Sequence, residues 1–429
     1  MLNSKLQSRI QSLVHSGARS VEPAQCATGT PCLDDYEVLR TLGAGANATV
    51  YLVREKHTSH LYALKAVDKY TASGRKVSSS MVLNEQATLT ELSGNDFVLP
   101  LHACFHDTEN FYLVTASEYL PGGDLQHLQA LKELDTEAIR FYMAELLLAV
   151  EHVHEHNIIH RDLKPENVFI DTDGHIVLGD FGIACQFASD TSPDAYFTHG
   201  RVGTPAFSSP EVLLEKDYGF EVDLWAFGVI LYEMLSCREA FEVKTVPADD
   251  PTWLRHLTQR VEHDDPIMFE GPYMTDDAAD LVRKKNPEAR LSDITEVKRH
   301  AFFDTIDWTS VASRSLAPPW VPRLISTRVA GVHFEEPDVY VGELYDSVDD
   351  PLPGFTFRIP ASSVSAASKR RQQIFGTLAG CAPLVSWVDG SSYPVARGET
   401  VPRVSERQGG LKSISRWARK ALNRPGRLA

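Results

Sequence analysis

Residues 158–182 read IIHRDLKPENVFIDTDGHIVLGDFG, and the fold is decided by this stretch. Two short apolar runs, VFI and HIVLG, flank a Thr-Asp-Gly turn, which predicts a β-hairpin from Val168 to Asp180. Such a hairpin brings the loop before it and the loop after it to one place. The residues so gathered suit a magnesium-bound triphosphate. Asp162 can accept a proton from an attacking hydroxyl, and Lys164 can reach a phosphoryl group in transfer. Asn167 and Asp180 supply oxygen ligands for a hard cation. A lone Asp in a turn is ordinarily only a turn residue. Eight adjoining residues, HRDLKPEN, with DFG at hairpin distance, form a set that a turn does not require.

Working outward, the 429 residues suffice for a large core, and 43% hydrophobic with 23% charged residues is a globular composition. No apolar run reaches the roughly 18 residues of a membrane span. The opening MLNSKLQSRIQSLVHSG lacks a secretory apolar core. Six cysteines fall in neither metal-ligand nor disulfide spacing, so a reduced, intracellular chain is expected, cytoplasmic or nuclear. The net charge of −16 argues against specific nucleic-acid binding. It conceals an asymmetry, because from Ala361 onward twelve Lys and Arg stand against three acidic residues.

Upstream, residues 1–33 are polar, with a weak helical stripe at Leu2, Leu6, Ile10 and Leu13. From Tyr36 the sequence alternates apolar and polar residues around a glycine-bearing turn, which predicts three antiparallel strands. The turn is Gly43-Ala44-Gly45-Ala46-Asn47-Ala48-Thr49-Val50, whose backbone N–H groups can approach phosphates closely. Lys65 follows on a strand and can pair with those phosphates. Glu85 lies on VLNEQATLTEL, where Val82, Leu83, Leu89 and Leu92 have helical spacing, so a Lys65–Glu85 ion pair is expected.

With these motifs in hand, the chain resembles eukaryotic Ser/Thr protein kinases over Tyr36 to Phe303. The resemblance implies an α+β fold with two lobes, a small antiparallel sheet lobe above a larger helical one, with ATP and Mg2+ in the cleft. It implies catalytic roles for Asp162, Lys164, Lys65 and Glu85, and metal binding by Asn167 and Asp180. It further implies that Ala63, Glu118, Leu120, Asp124 and Glu166 join the 43–50 loop, Val50 included, around the nucleotide. GTPAFSSPE (Gly203 to Glu211) is similar to the end of an activation segment, Asp223 to the residue bracing the HRD backbone, and Arg290 to the ion-pair partner of Glu211. EYLPGGDL and HAFFDTIDW narrow the resemblance to the AGC group, which includes the cyclic-nucleotide-dependent kinases, protein kinase C and the Akt and S6 kinases. In that group a C-terminal tail returns over the small lobe. PPWVPRL (Pro318 to Leu324) and LPGFTFR (Leu352 to Arg358) resemble its segments, with Phe355 and Phe357 expected to plug a groove beside the Glu85 helix.

The expected organisation is an N-terminal extension at 1–33, a kinase domain at 34–303, a tail at 304–360 and a basic extension at 361–429. The expected activity is transfer of the ATP γ-phosphoryl group to Ser or Thr of protein substrates, by a monomer, in a basic sequence context. Asp124, Glu166 and Glu233 match the acidic positions that read substrate arginines in this group. The alternative is a catalytically weak kinase-like scaffold. Several departures matter. Ala48 occupies the third glycine position and Leu352 that of the first tail Phe. The residue guarding the adenine pocket is Thr115 or Ser117. Counting three back from Gly203 reaches Gly200, so the usual phosphate acceptor is missing and Thr198 stands two positions away. An upstream kinase would then act at Thr198 or at Thr356. LKSISRWARKALNR, within the basic extension, either meets an anionic membrane or acidic partner or stays solvated.

Overall fold

The computed structural model describes residues 30–44, 48–70, 74, 76, 78–115, 120, 122–131, 134–188, 190–192, 195–263, 271–283, 293–322, 350–352 and 354–359. The stripe at residues 2–13, Gly45, Ala46, Asn47, Ser117, Glu118, Arg290, Leu324 and the basic extension lie outside them.

Strands β1 (Tyr36–Ala44), β2 (Ala48–Glu55), β3 (Leu61–Asp68), β4 (Leu101–His106) and β5 (Asn110–Thr115) form an antiparallel sheet in the order β1-β2-β3-β5-β4. Alternation along the strands divides the side chains between two clusters. Tyr51, Val53, Leu64, Tyr112 and Val114 join Tyr36 and Phe105 on one face. Val67, Phe111 and Leu113 face the other way, into the main core. Tyr36 stacks on Phe105 at 5.9 Å and Phe105 on Tyr112 at 4.9 Å, which stiffens the outer face. Helix α1 (Ser80–Glu91) lies against the inner face, burying Val82, Glu85 and Leu89.

The large lobe carries α2 (Leu125–Leu131), α3 (Thr136–Glu155), α4 (Pro210–Leu213), α5 (Glu221–Ser236), α6 (Trp253–His263), α7 (Asp276–Arg283), α8 (Ile294–Lys298) and α9 (Trp308–Ala312). Asp135 caps α3 by accepting from the Ala138 N–H at 2.9 Å, and Ile139, Tyr142, Met143, Leu146, Leu147 and Val150 point inward at helical spacing. Helix α5 is buried all round, as its nearly unbroken apolar sequence requires. Beside these helices lie two short ladders: β6 (Ile158–Ile159) with β9 (Cys185–Gln186), and β7 (Val168–Ile170) with β8 (Ile176–Leu178). The second ladder is the expected hairpin, with Phe169 opposite Val177.

Past α9 the chain is pinned to the large lobe. Arg314, buried, donates to Asp171 Oδ2 at 2.8 Å, to the Ile176 carbonyl at 2.9 Å and to the Asp96 carbonyl. The Trp320 carbonyl lies so close to Gly174, at φ +94°, that a β-carbon there would collide with it. Residues 350–359 lie on the small lobe. Phe355 is buried against Phe111 (5.2 Å) and His106 (5.6 Å), its carbonyl accepts from Gln86 Nε2 of α1 at 3.1 Å, and β10 (Phe357–Arg358) pairs with Cys104 and Ala103 as a sixth strand beyond β4.

Candidate active site

A cavity of about 440 Å3 opens between the lobes. Leu42, Val50, Ala63, Leu120 and Phe169 give it apolar walls, Gly43 lies at its rim, and Thr115, Leu99 and Leu113 line it further. The polar side chains reaching it include Lys65, Glu85, Asp124, Asn167 and Asp180. Thr115 hydroxyl donates to the Ala63 carbonyl at 3.3 Å and lies in the cavity wall, while Ser117, the other candidate, lies outside the described residues.

Lys65 is the centre of the small-lobe end. Its ammonium lies 2.9 and 2.8 Å from the two Glu85 oxygens and 3.2 Å from Asp180 Oδ1. Burial works against the lysine charge, but Glu85 first and Asp180 second outweigh it and hold the pKa above the ordinary value. Burial pushes Asp180 up, yet Lys65 pulls it below the usual carboxylate range. Glu85 is itself raised by burial, against the pull of Lys65. Asn84 of α1 donates to the Phe181 and Ala184 carbonyls at 3.3 and 2.9 Å, so the helix carrying Glu85 also grips the segment after Asp180.

At the large-lobe end Asp162 is held from several sides. Thr204 donates to its Oδ1 through N–H at 2.8 Å and through hydroxyl at 2.7 Å; Lys164 Nζ reaches Oδ2 at 2.8 Å. Asn167 Nδ2 donates to the Asp162 carbonyl at 2.8 Å and to Oδ2 at 3.2 Å, which leaves the amide oxygen for another partner. The backbone beneath is bent: Arg161 and Asp180 both have positive φ, 67° and 62°. Asp223 steadies that bend, accepting from the N–H groups of His160 (2.8 Å) and Arg161 (3.0 Å). Burial raises the Asp223 carboxyl, but His154 at 2.8 Å and the His160 contacts bring it below its ordinary value. Gly203, at φ +86°, passes so close to the Arg161 carbonyl that no side chain would fit.

The expected residues therefore divide. Lys65, Glu85, Asn167 and Asp180 meet at the cavity with Gly43, Val50, Ala63, Leu120 and Asp124. Asp162 and Lys164 adjoin Asn167. Ala44 and Ala48 sit at the tips of β1 and β2 and do not line the cavity. Glu166 is not among the residues lining it. Burial raises its carboxyl, Asp124 adds to the rise, and one oxygen, Oε2, is buried without a hydrogen-bond partner among the described residues. Glu233, also buried, is pushed up to about 8, with Glu166 among the contributors. Sequence reasoning missed Thr204 as a site residue, although the GTP motif contains it. It also missed Leu99 and Phe169, which carry no signal beyond being apolar.

The protein kinase domain family model matches residues 36–303. Among curated proteins, protein kinase C zeta type from Oryctolagus cuniculus is 35% identical over 301 residues, which are 68% of this chain and 49% of that protein. Serine/threonine-protein kinase sck2 from Schizosaccharomyces pombe is 36% identical over 299 residues, 67% of this chain and 44% of the relative. Serine/threonine-protein kinase gad8 from the same yeast is 36% identical over 301 residues, 68% and 50% respectively. The chain thus spans about half the length of the curated relatives it matches.

Proposed function

This chain belongs to the protein kinase family, with AGC-type Ser/Thr kinases as its relatives, and from that premise we propose that it phosphorylates Ser or Thr of protein substrates using Mg-ATP. The observation that carries the proposal is the Lys65 ammonium, held between Glu85 and Asp180 in a cleft also lined by Asn167, whose amide in turn donates to Asp162. Mg-ATP, when bound, supplies the transferring phosphoryl group and the cation that neutralises its charge. The donor set fits: oxygen ligands from Asn167 and Asp180 suit magnesium, and the apolar cleft walls suit a planar base.

In this reading Asp162, oriented by Thr204 and Asn167, accepts a hydrogen bond and then the proton from the substrate hydroxyl. Lys164, 2.8 Å from Asp162, stabilises charge on the transferring oxygens. Lys65 orients the phosphates, and Glu85 keeps Lys65 in place. Asp124 and Glu166, half-buried, and Glu233, buried, are acidic groups whose carboxyls burial raises, and among the described residues none of the three has a cation in a salt bridge. A guanidinium from the substrate fits there, since it would restore their charge and satisfy Glu166 Oε2. The cysteines described at 32, 104, 185 and 237 are free thiols, in keeping with an intracellular site of action. Among the described residues no helix is long and apolar enough to cross a membrane.

Phosphate transfer from labelled ATP to a positional peptide library tests the proposal. Selection of Ser or Thr acceptors with upstream Arg, dependent on magnesium, is the expected result. Selection of upstream acidic residues would sink the substrate reading, and wild-type transfer by the Asp180→Ala protein would sink the metal assignment.

A further inference from the structure

Arg161 precedes the proposed base, and its guanidinium meets no carboxylate in an ion pair among the described residues. Its Nε donates to the Ile183 carbonyl at 2.7 Å and its Nη2 reaches the Ala184 carbonyl at 3.4 Å. Its Nη1 lies 3.4 Å from the Tyr218 hydroxyl. That hydroxyl in turn donates to the Gly200 carbonyl at 2.9 Å. Tyr218 is fully buried, in a cluster with Ile159, Val212 and Val222, so the phenol cannot swing out to water. Its backbone also exchanges two hydrogen bonds with Thr198, each of 2.9 Å. The segment is therefore fastened to Tyr218 at two points, and three residues past Gly200 it passes the Arg161 carbonyl at Gly203 and delivers Thr204 to Asp162.

Gly200 has no side chain to phosphorylate, yet the segment around it is tied down. We propose that Tyr218 is a positioning residue for phosphoryl transfer: its hydroxyl links Arg161 to the Gly200 carbonyl and so sets the register in which Thr204 orients Asp162. The inference rests on the kinase reading above. It assigns to a neutral phenol the fastening that a phosphorylated side chain would give through its charge. Arg161, bonded to two carbonyls and near the phenol, is oriented by neutral oxygens in this arrangement.

The test compares full-length wild type with Tyr218→Phe, Arg161→Ala and the double variant on one basic peptide, counting folded sites by nucleotide-analogue binding. Tyr218→Phe keeps the ring and its packing. It is expected to lower kcat by about 3- to 10-fold, the range of one net hydrogen bond, with KM for ATP unchanged. The double variant is expected to be no slower than Arg161→Ala, because both changes break one chain of contacts. Thr198→Ala should retain wild-type kcat. If Tyr218→Phe turns over like wild type, or if its loss multiplies with that of Arg161→Ala, the linkage is refuted; a Thr198→Ala enzyme that is dead refutes it too. Should the Phe variant fail to fold, Arg161→Lys, which keeps the charge but loses the forked donors, is expected to give the same kcat loss, and wild-type kcat there overturns the proposal. Absence of any transfer by wild type would overturn the kinase reading itself, whereas an active wild type matched by Tyr218→Phe overturns only the role of the phenol.

Discussion

The two ends of the cleft are held in different ways. Asp162, Lys164 and Asn167 lie within six residues of one another, and their mutual bonds are local, closed off by Thr204 and by Asp223 beneath. Lys65, Glu85 and Asp180 come instead from a strand, a helix and a loop, with Lys65 and Asp180 115 positions apart. Their meeting depends on where α1 sits, and α1 is tied by its own Asn84 to carbonyls of the segment after Asp180 and by its own Gln86 to the Phe355 carbonyl. A site of this kind has one end built into its loop and another that is only as well placed as its supports. Control is then expected to act on the second end.

The largest effects should come from the chemistry at either end. Asp162→Asn and Lys65→Met should each lower kcat by roughly 10^2- to 10^4-fold while melting within a few degrees of wild type, since neither side chain lies in the apolar core. Steady-state rates with a thermal melt check this. Loss of fold along with activity would mean that the two ends are not separable.

Next comes the support of α1. Phe355→Ala, or truncation before Leu352, removes a buried ring from Phe111 and His106 and the carbonyl that Gln86 reaches. A change of about 1.4 kcal/mol in the placement of α1 is tenfold in active population, so initial rates should fall about tenfold. Thr356, beside the buried ring, is the tail position where a phosphate should raise the rate. A truncated chain as fast as wild type would show that the tail does not set the position of Glu85.

A smaller effect is expected in pH dependence. The Glu233 carboxyl is pushed up to about 8 by burial, so it is mostly neutral at pH 7 and ionises as pH rises through 8. If it reads a substrate cation, KM for an arginine-bearing peptide should fall several-fold between pH 7 and 9. Glu233→Gln should flatten that profile and leave KM for ATP alone. A profile equally steep in the Gln variant would assign the titration to another group. The smallest change should be Thr198→Ala, within about twofold of wild type, because Thr198 meets Tyr218 through backbone atoms that alanine retains.

How far these contacts were legible depends on how far apart their partners lie. HRDLKPEN and DFG specify their chemistry because the spacing of a few residues fixes which atoms can share one cation. Three strands of the small lobe, β1 to β3, follow from period-2 alternation, and α1 and α3 from apolar spacing along their stretches. The Lys65–Glu85 pair was foreseeable through order along the chain, and it is present at 2.8 Å.

Other features have no local signature. Tyr218 reads as one more apolar-rich residue before α5, and only the return of the chain sets its hydroxyl between Arg161 and Gly200. Nothing in GFTF states that β10 pairs with Cys104 and Ala103, or that Arg358 reaches Glu55, 303 positions away. The sequence by itself determined the set of reacting groups and the period of each element, because both are properties of neighbours in the chain. Tertiary structure alone decided which distant surfaces meet, because their shape, burial and register exist only once the elements have packed.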